Sequence, residues 1–165
     1  MRKKINLLIL GAISIAISGC VGSMPEYQTS KGTMIVFKTP TMRYADQGFV
    51  SIASSETKVE IYGSGQAVMR LRITPSEVCV SQMACMNKKD FNTKVLGNAS
   101  YPESLIENIF KGEPIFNMEG MNQSDHSFRQ HISKPGININ YIRTPKTIVF
   151  NDTITGTKIK VITTE

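Results

Sequence analysis

Tryptophan is absent from this 165-residue chain, and aromatic side chains make up only 7% of it. A groove that stacks sugar rings draws on those flat faces, so carbohydrate binding is disfavoured. Histidine occurs twice, at His126 and His131, five positions apart and off the i, i+4 spacing that sets two ligands on one helix face. There is no Gly-x-Ser-x-Gly, so the strand–elbow–helix that exposes a hydrolase serine has no counterpart. Gly63-Ser64-Gly65 lacks the Gly-Lys-Ser/Thr ending of a phosphate loop, and strand rather than helix periodicity follows it. The three cysteines contain no Cys-x-x-Cys pair, which removes the usual redox and zinc spacings. After residue 20 no run of Lys and Arg with interleaved aromatics appears, so nucleic acid is not an expected partner.

What is present is concentrated first at the N-terminus. Arg2, Lys3 and Lys4 are followed by an apolar stretch from Ile5 to Ile17, then by the small residues Ser18 and Gly19, then by Cys20. That apolar stretch suits a secretory signal and is short for a bilayer span. Ile17-Ser18-Gly19-Cys20 resembles the lipobox of bacterial lipoproteins, in which an aliphatic and two small residues precede a cysteine. The resemblance covers residues 1–20. It implies a signal peptide at 1–19, diacylglyceryl transfer to the Cys20 thiol and acylation of the new amino terminus. Attachment through more than one chain is physically required, because a single acyl chain binds a bilayer only marginally. In Gram-negative lipoproteins an Asp just after the acylated Cys retains the protein at the inner membrane. Here Val21 and Gly22 follow, so the resemblance implies the outer membrane, facing the periplasm.

This reading changes the charge. The precursor carries +6, but removing three bases with the signal leaves sixteen bases against 13 acids, or +3. It also leaves Cys79 and Cys85 as a pair in an oxidising compartment, where a disulfide is the expected state. Closing a six-residue separation stabilises by about 2 kcal/mol on chain-entropy grounds.

Val21 to Gly32 is rich in Gly, Ser and Pro with little to bury, which predicts a lipidated tether at 20–32 and a single body at 33–165. Thr33 to Lys38, Phe49 to Ile52, Lys58 to Tyr62 and Gln66 to Ile73 read as strands, the last two joined as a hairpin through the glycine turn. Two helices are expected next. Asn87 caps one that runs to Leu96 and stops at Gly97; a Ser100-x-x-Glu103 capping box starts the other, with Leu105, Ile106, Ile109 and Phe110 on one face and Gly112 as stop. Asn117 to Ser127 reads as an exposed loop. Phe128 to Ser133, Ile137 to Tyr141, Thr147 to Ile154 and Lys158 to Thr163 form a meander. The sum is α+β, a mostly antiparallel sheet with two short central helices.

Three functional classes follow. The first is a non-enzymatic binding or envelope-assembly module with an envelope protein as partner, docking by strand addition at exposed edges of the terminal strands, with Met83, Met86, Met118 and Met121 as adaptable contacts. The second is a lipid-anchored hydrolase using His126 or His131; Asp125-His126-Ser127 holds the residue types of a triad, but such residues must meet in space. The third is a surface-exposed adhesin or antigen. No cofactor, metal or catalytic residue is assigned; the site residues are Cys20 for lipidation and Cys79 with Cys85 for the disulfide.

Overall fold

Alternating burial along successive hairpins generates nearly all of the architecture. The computed structural model describes residues 25–164 apart from Gln82. Cys20, the signal segment and the first part of the expected tether lie outside the described residues.

Strands β1 (Tyr27–Lys38), β2 (Arg43–Ala53), β3 (Thr57–Gly63), β4 (Gln66–Ile73), β5 (Glu77–Val80) and β6 (Met86–Asn87) form one meander. A second runs through β7 (Met121–Ser124), β8 (Ser127–Lys134), β9 (Ile137–Arg143), β10 (Thr147–Asp152) and β11 (Thr157–Thr163). Antiparallel pairing of β1 with β11 fuses the two into one 11-stranded sheet, ordered β6-β5-β4-β3-β2-β1-β11-β10-β9-β8-β7. The first and last strands of the chain therefore lie side by side at the centre. The edges are β6 and β7, from the middle of the sequence, which corrects the expectation of free edges at the terminal strands.

The α+β expectation is overturned as well: the described residues are β-rich, 55% of them strand, in a single antiparallel sheet with two short helices. The excess strand comes from polar segments that show no apolar alternation. β1 begins at Tyr27, six residues before the body was expected to start. Its first residues are mostly exposed and are held by backbone pairing to β2, by Ser30 Oγ at 2.9 Å from Ser51 Oγ, and by the Tyr27 hydroxyl donating to Glu56. Burial and that hydrogen bond push the Tyr27 phenol up to about 12. Likewise Asn117 to Ser127, expected as a loop, contains β7.

Where alternation is clear, the strands match it. Val59 and Ile61 on β3, and Met69, Leu71 and Ile73 on β4, are buried, while Arg70 and Arg72 point outward. Ser64 and Gly65 both take positive φ, 51° and 80°, the twist that a two-residue hairpin needs.

Helix α1 (Lys88–Phe91) continues into a π-helical turn, Asn92–Leu96; Asn87 Oδ1 accepts from the Asp90 amide at 2.8 Å, and Gly97 closes the segment at φ 83°. Helix α2 (Leu105–Lys111) buries Leu105, Ile106, Ile109 and Phe110, as its apolar stripe requires. Its expected capping box does not form. The helix starts at Leu105 behind Ser104, which makes no side-chain cap, because residues 98–104 first make a turn in which Asn98 Oδ1 takes the Ser100 amide.

The helices lie on the apolar face of the sheet. α2 packs against both β3 and β10, four strand intervals apart, a distance of about 19 Å in a flat sheet. A helix about 10 Å across reaches both only if the sheet curls around it. Polar ties fix this layer. Tyr101 donates to the buried Asp152 carboxylate at 2.5 Å, and Thr157 Oγ1 donates to the Leu96 carbonyl at 2.9 Å. Burial, followed by the bond to Asp152, raises the Tyr101 phenol well above its ordinary range. On α2, burial works against the Glu107 charge, but hydrogen bonds from Lys111 and Lys88 outweigh it and hold the carboxyl below its usual value.

Candidate interaction surface

Cys79 and Cys85 are joined as a disulfide, with Cα atoms 3.9 Å apart. It closes the loop between β5 and β6 and so staples one edge of the sheet. Arg72 Nη2 lies 3.2 Å from Cys79 Sγ and 3.4 Å from the Glu77 carboxylate. Glu77, Cys79 and Cys85 present ligand atoms within 4.8 Å of one another, but both sulfurs are committed to the S–S bond, which leaves no thiolate for a metal.

The two histidines do not converge. His131 lies exposed on β8, with Nδ1 at 3.1 Å from Asn140 Oδ1. His126 occupies the β7–β8 turn and offers its backbone carbonyl to Arg143 Nη1 at 2.5 Å. Among the described residues no side-chain hydrogen bond joins Asp125, His126 and Ser127. Asp125 takes φ 46°, a turn geometry that short polar residues tolerate.

The most constrained local geometry lies in a segment that reads as an exposed loop. Phe116, Asn117 and Met118 occupy left-handed backbone in succession, at φ 47°, 52° and 66°. Asn tolerates this conformation; an aromatic and a long unbranched side chain do not, and the left-handed region costs about 1–2 kcal/mol per such residue. Two i, i+3 bonds close the turn, Met118 amide to Ile115 carbonyl at 3.0 Å and Glu119 amide to Phe116 carbonyl at 3.1 Å.

Gln130, fully buried on β8, supplies the restraint from below. Its Oε1 accepts from the Ile115 amide at 2.8 Å, and its Nε2 donates to the carbonyls of Ile115 and Glu119, both at 2.8 Å. One side chain thereby grips the chain on both sides of the turn. Gly120 completes the descent into β7: a Cβ there would collide with the His131 carbonyl oxygen, and its φ is 62°. Above, Lys134 bonds Glu119 at 2.5 Å and stands 5.4 Å over the Phe116 ring.

The outcome is a rigid projection. Met118 is 59% exposed at its tip. Beside it runs an open groove of about 550 Å³ between the turn and the start of α2, bordered by Ser104, Asn108, Glu113 and Lys134. On its other flank is β7, whose outer side pairs with no strand among the described residues. Of the four methionines singled out in the sequence, Met83 and Met118 are exposed, whereas Met86 and Met121 are half-buried. The arrangement holds no nucleophile paired with a base. What it offers is an exposed thioether, an aromatic edge, backbone groups of an edge strand and an ion pair, the materials of a contact surface.

Gln130 carried one signal. It lies on the same face of its strand as Ile132, so a polar residue occupies an apolar position of the alternation and must find partners inside. No protein family matches the chain, and no curated protein matches it either.

Proposed function

We propose that this chain is a lipoprotein of the bacterial envelope, held by acyl chains on Cys20 at the outer membrane and facing the periplasm. In that position it serves, without catalysis, as a binding or assembly module for another envelope protein. The observation that supports the binding role is the clamped left-handed turn. Strained backbone persists where its surroundings over-determine it, and it concentrates at functional positions. Here a buried glutamine is committed entirely to restraining Phe116–Met118, while the Met118 side chain contributes little to the core.

The anchor rests on the lipobox resemblance of Ile17 to Cys20. With β1 starting at Tyr27, six residues, or seven Cα-to-Cα steps, separate the acylated cysteine from the sheet, a reach of about 25 Å at full extension. The body would stay beside the membrane, and its partner would have to come to that surface. The β7 edge adds main-chain hydrogen-bonding capacity next to the turn, which suits capture of an extended segment.

Crosslinking in cells followed by recovery of the acylated protein tests this reading. It predicts a discrete envelope partner, recovered in reduced yield with Met118→Ala; recovery of none across growth conditions would contradict it.

A further inference from the structure

We infer that the cavity between the C-terminal end of α2 and the β9–β10 turn is a binding site for a phosphate group. This cavity lies on the concave face of the sheet, away from Met118 and β7. Its volume is about 90 Å³, far below the 300–1,000 Å³ of drug-sized ligand sites, so it suits a small anion and not a nucleotide or sugar.

The charge of its lining identifies the ligand class. Lys31, Lys111, Arg143 and Lys146 border it, and among the described residues no carboxylate does. Two of these cations are already partly answered. Lys111 pairs with Glu107 at 2.7 Å, and Arg143 donates one nitrogen to the His126 carbonyl while its side chain packs across Gly112 at the end of α2. Lys31 and Lys146 form no ion pair among the described residues. The chain has 13 acids, and none of those among the described residues lines the cavity. Like charges gathered in a recess repel one another and raise the local concentration of anions.

The remaining polar groups suit an oxyanion. Thr29 and Thr163 bring hydroxyls that have no hydrogen-bond partner among the described residues, and the planar Arg143 fork matches phosphate oxygens. Val161 and Ile148 form an apolar floor beneath this rim, which lowers the local dielectric and strengthens the attraction.

Position narrows the source to two. The cavity opens beside Thr29 and Lys31, at the end of β1 nearest the N-terminus. A tether at Cys20 would hold that end against the bilayer, where lipid headgroups carry phosphate; free inorganic phosphate offers the same chemistry in solution. The lining charge is independent of Cys20, so failure of the anchor would leave the inorganic-phosphate prediction intact.

The test uses the full chain in a neutral detergent. Inorganic phosphate is titrated by calorimetry, first alone and then with micelles doped with phosphatidylglycerol or with phosphatidylcholine. The expected result is saturable phosphate binding, weakened at least tenfold in the double variant Lys31→Gln, Lys146→Gln and unchanged in Lys158→Gln, a substitution on the opposite face. Competition by doped phosphatidylglycerol would assign the site to headgroups, and its absence would assign it to free phosphate; both support the site. Circular dichroism checks the fold of the variants. Should the double variant unfold, protection of Lys31 and Lys146 in the unmodified protein from amine acetylation by added phosphate answers the same question. No saturable binding, binding equal in the double variant, or no protection would overturn the proposal.

Discussion

The side-chain amide of Gln130 holds both backbone groups of Ile115, accepting from its amide and donating to its carbonyl at 2.8 Å each. Together with its bond to Glu119, this makes one buried residue responsible for a turn whose own backbone preferences oppose it. Gln130→Leu removes three hydrogen bonds and strands buried amide and carbonyl groups. A loss of about 3 kcal/mol is expected, at the upper end for unsatisfied buried groups, and a denaturant melt measures it. A loss under about 1 kcal/mol would show that the turn does not depend on the clamp.

Strain and use should separate at Met118. At φ 66° a glycine is at ease where methionine is not, so Met118→Gly is expected to stabilise the fold by about 0.5–1 kcal/mol, by the same logic that makes Gly→Ala costly at positive φ. The same variant should recover less partner. Greater stability with weaker capture is the signature of a surface kept for contact; lower stability would mean that Met118 is there for packing.

Acid sensitivity should trace partly to Glu107. Its carboxyl titrates lower in the folded protein than in the unfolded chain, so between those two values the unfolded state binds more protons. The stability that it contributes is complete above the unfolded value of 4.5 and is lost as pH falls below this through the folded value. Glu107→Gln should therefore flatten the acid limb of a melting-temperature profile. It also leaves Lys88, 5% exposed, without its 2.8 Å partner. About 2 kcal/mol should be lost at neutral pH, below the value of about 3–5 kcal/mol for a fully buried pair because Glu107 is partly solvated. An unchanged acid limb would remove Glu107 from the explanation.

Reduction of Cys79–Cys85 should have a local effect. About 2 kcal/mol of chain-entropy stabilisation is at stake, and amide exchange should accelerate in β5 and β6 while the β8–β11 half keeps its protection. Uniform acceleration across the sheet would mean that the staple supports the whole fold.

Much of this architecture was legible in the residues. Strands with one buried face announced themselves, as in Met69-Arg70-Leu71-Arg72-Ile73, and so did the stripe Leu105, Ile106, Ile109 and Phe110. Strand segments without a fully buried residue did not: Tyr27 to Lys31 and Asn122 to Ser124 are held mainly by ladder hydrogen bonds, which leave no trace in side-chain polarity. That silence turned a β-rich sheet into an apparent α+β fold. The pairing of β1 with β11 joins residues more than a hundred positions apart, and no local pattern carries it. The Ser100–Glu103 pair matched a capping box in spacing, yet Asn98 takes the Ser100 amide first. The left-handed turn was hidden for another reason, since Phe116 and Met118 are residues that local preference would place elsewhere. Only Gly120, and Gln130 out of place on an apolar face, marked it.

Site-specific photo-crosslinking in cells tests the central claim most directly, with a benzophenone side chain placed at position 118 and, as a control, at position 158. The account predicts one discrete adduct from position 118, absent from position 158 and lost when Cys20→Ala removes the anchor. No adduct from position 118, or the same adducts from both positions, would contradict it.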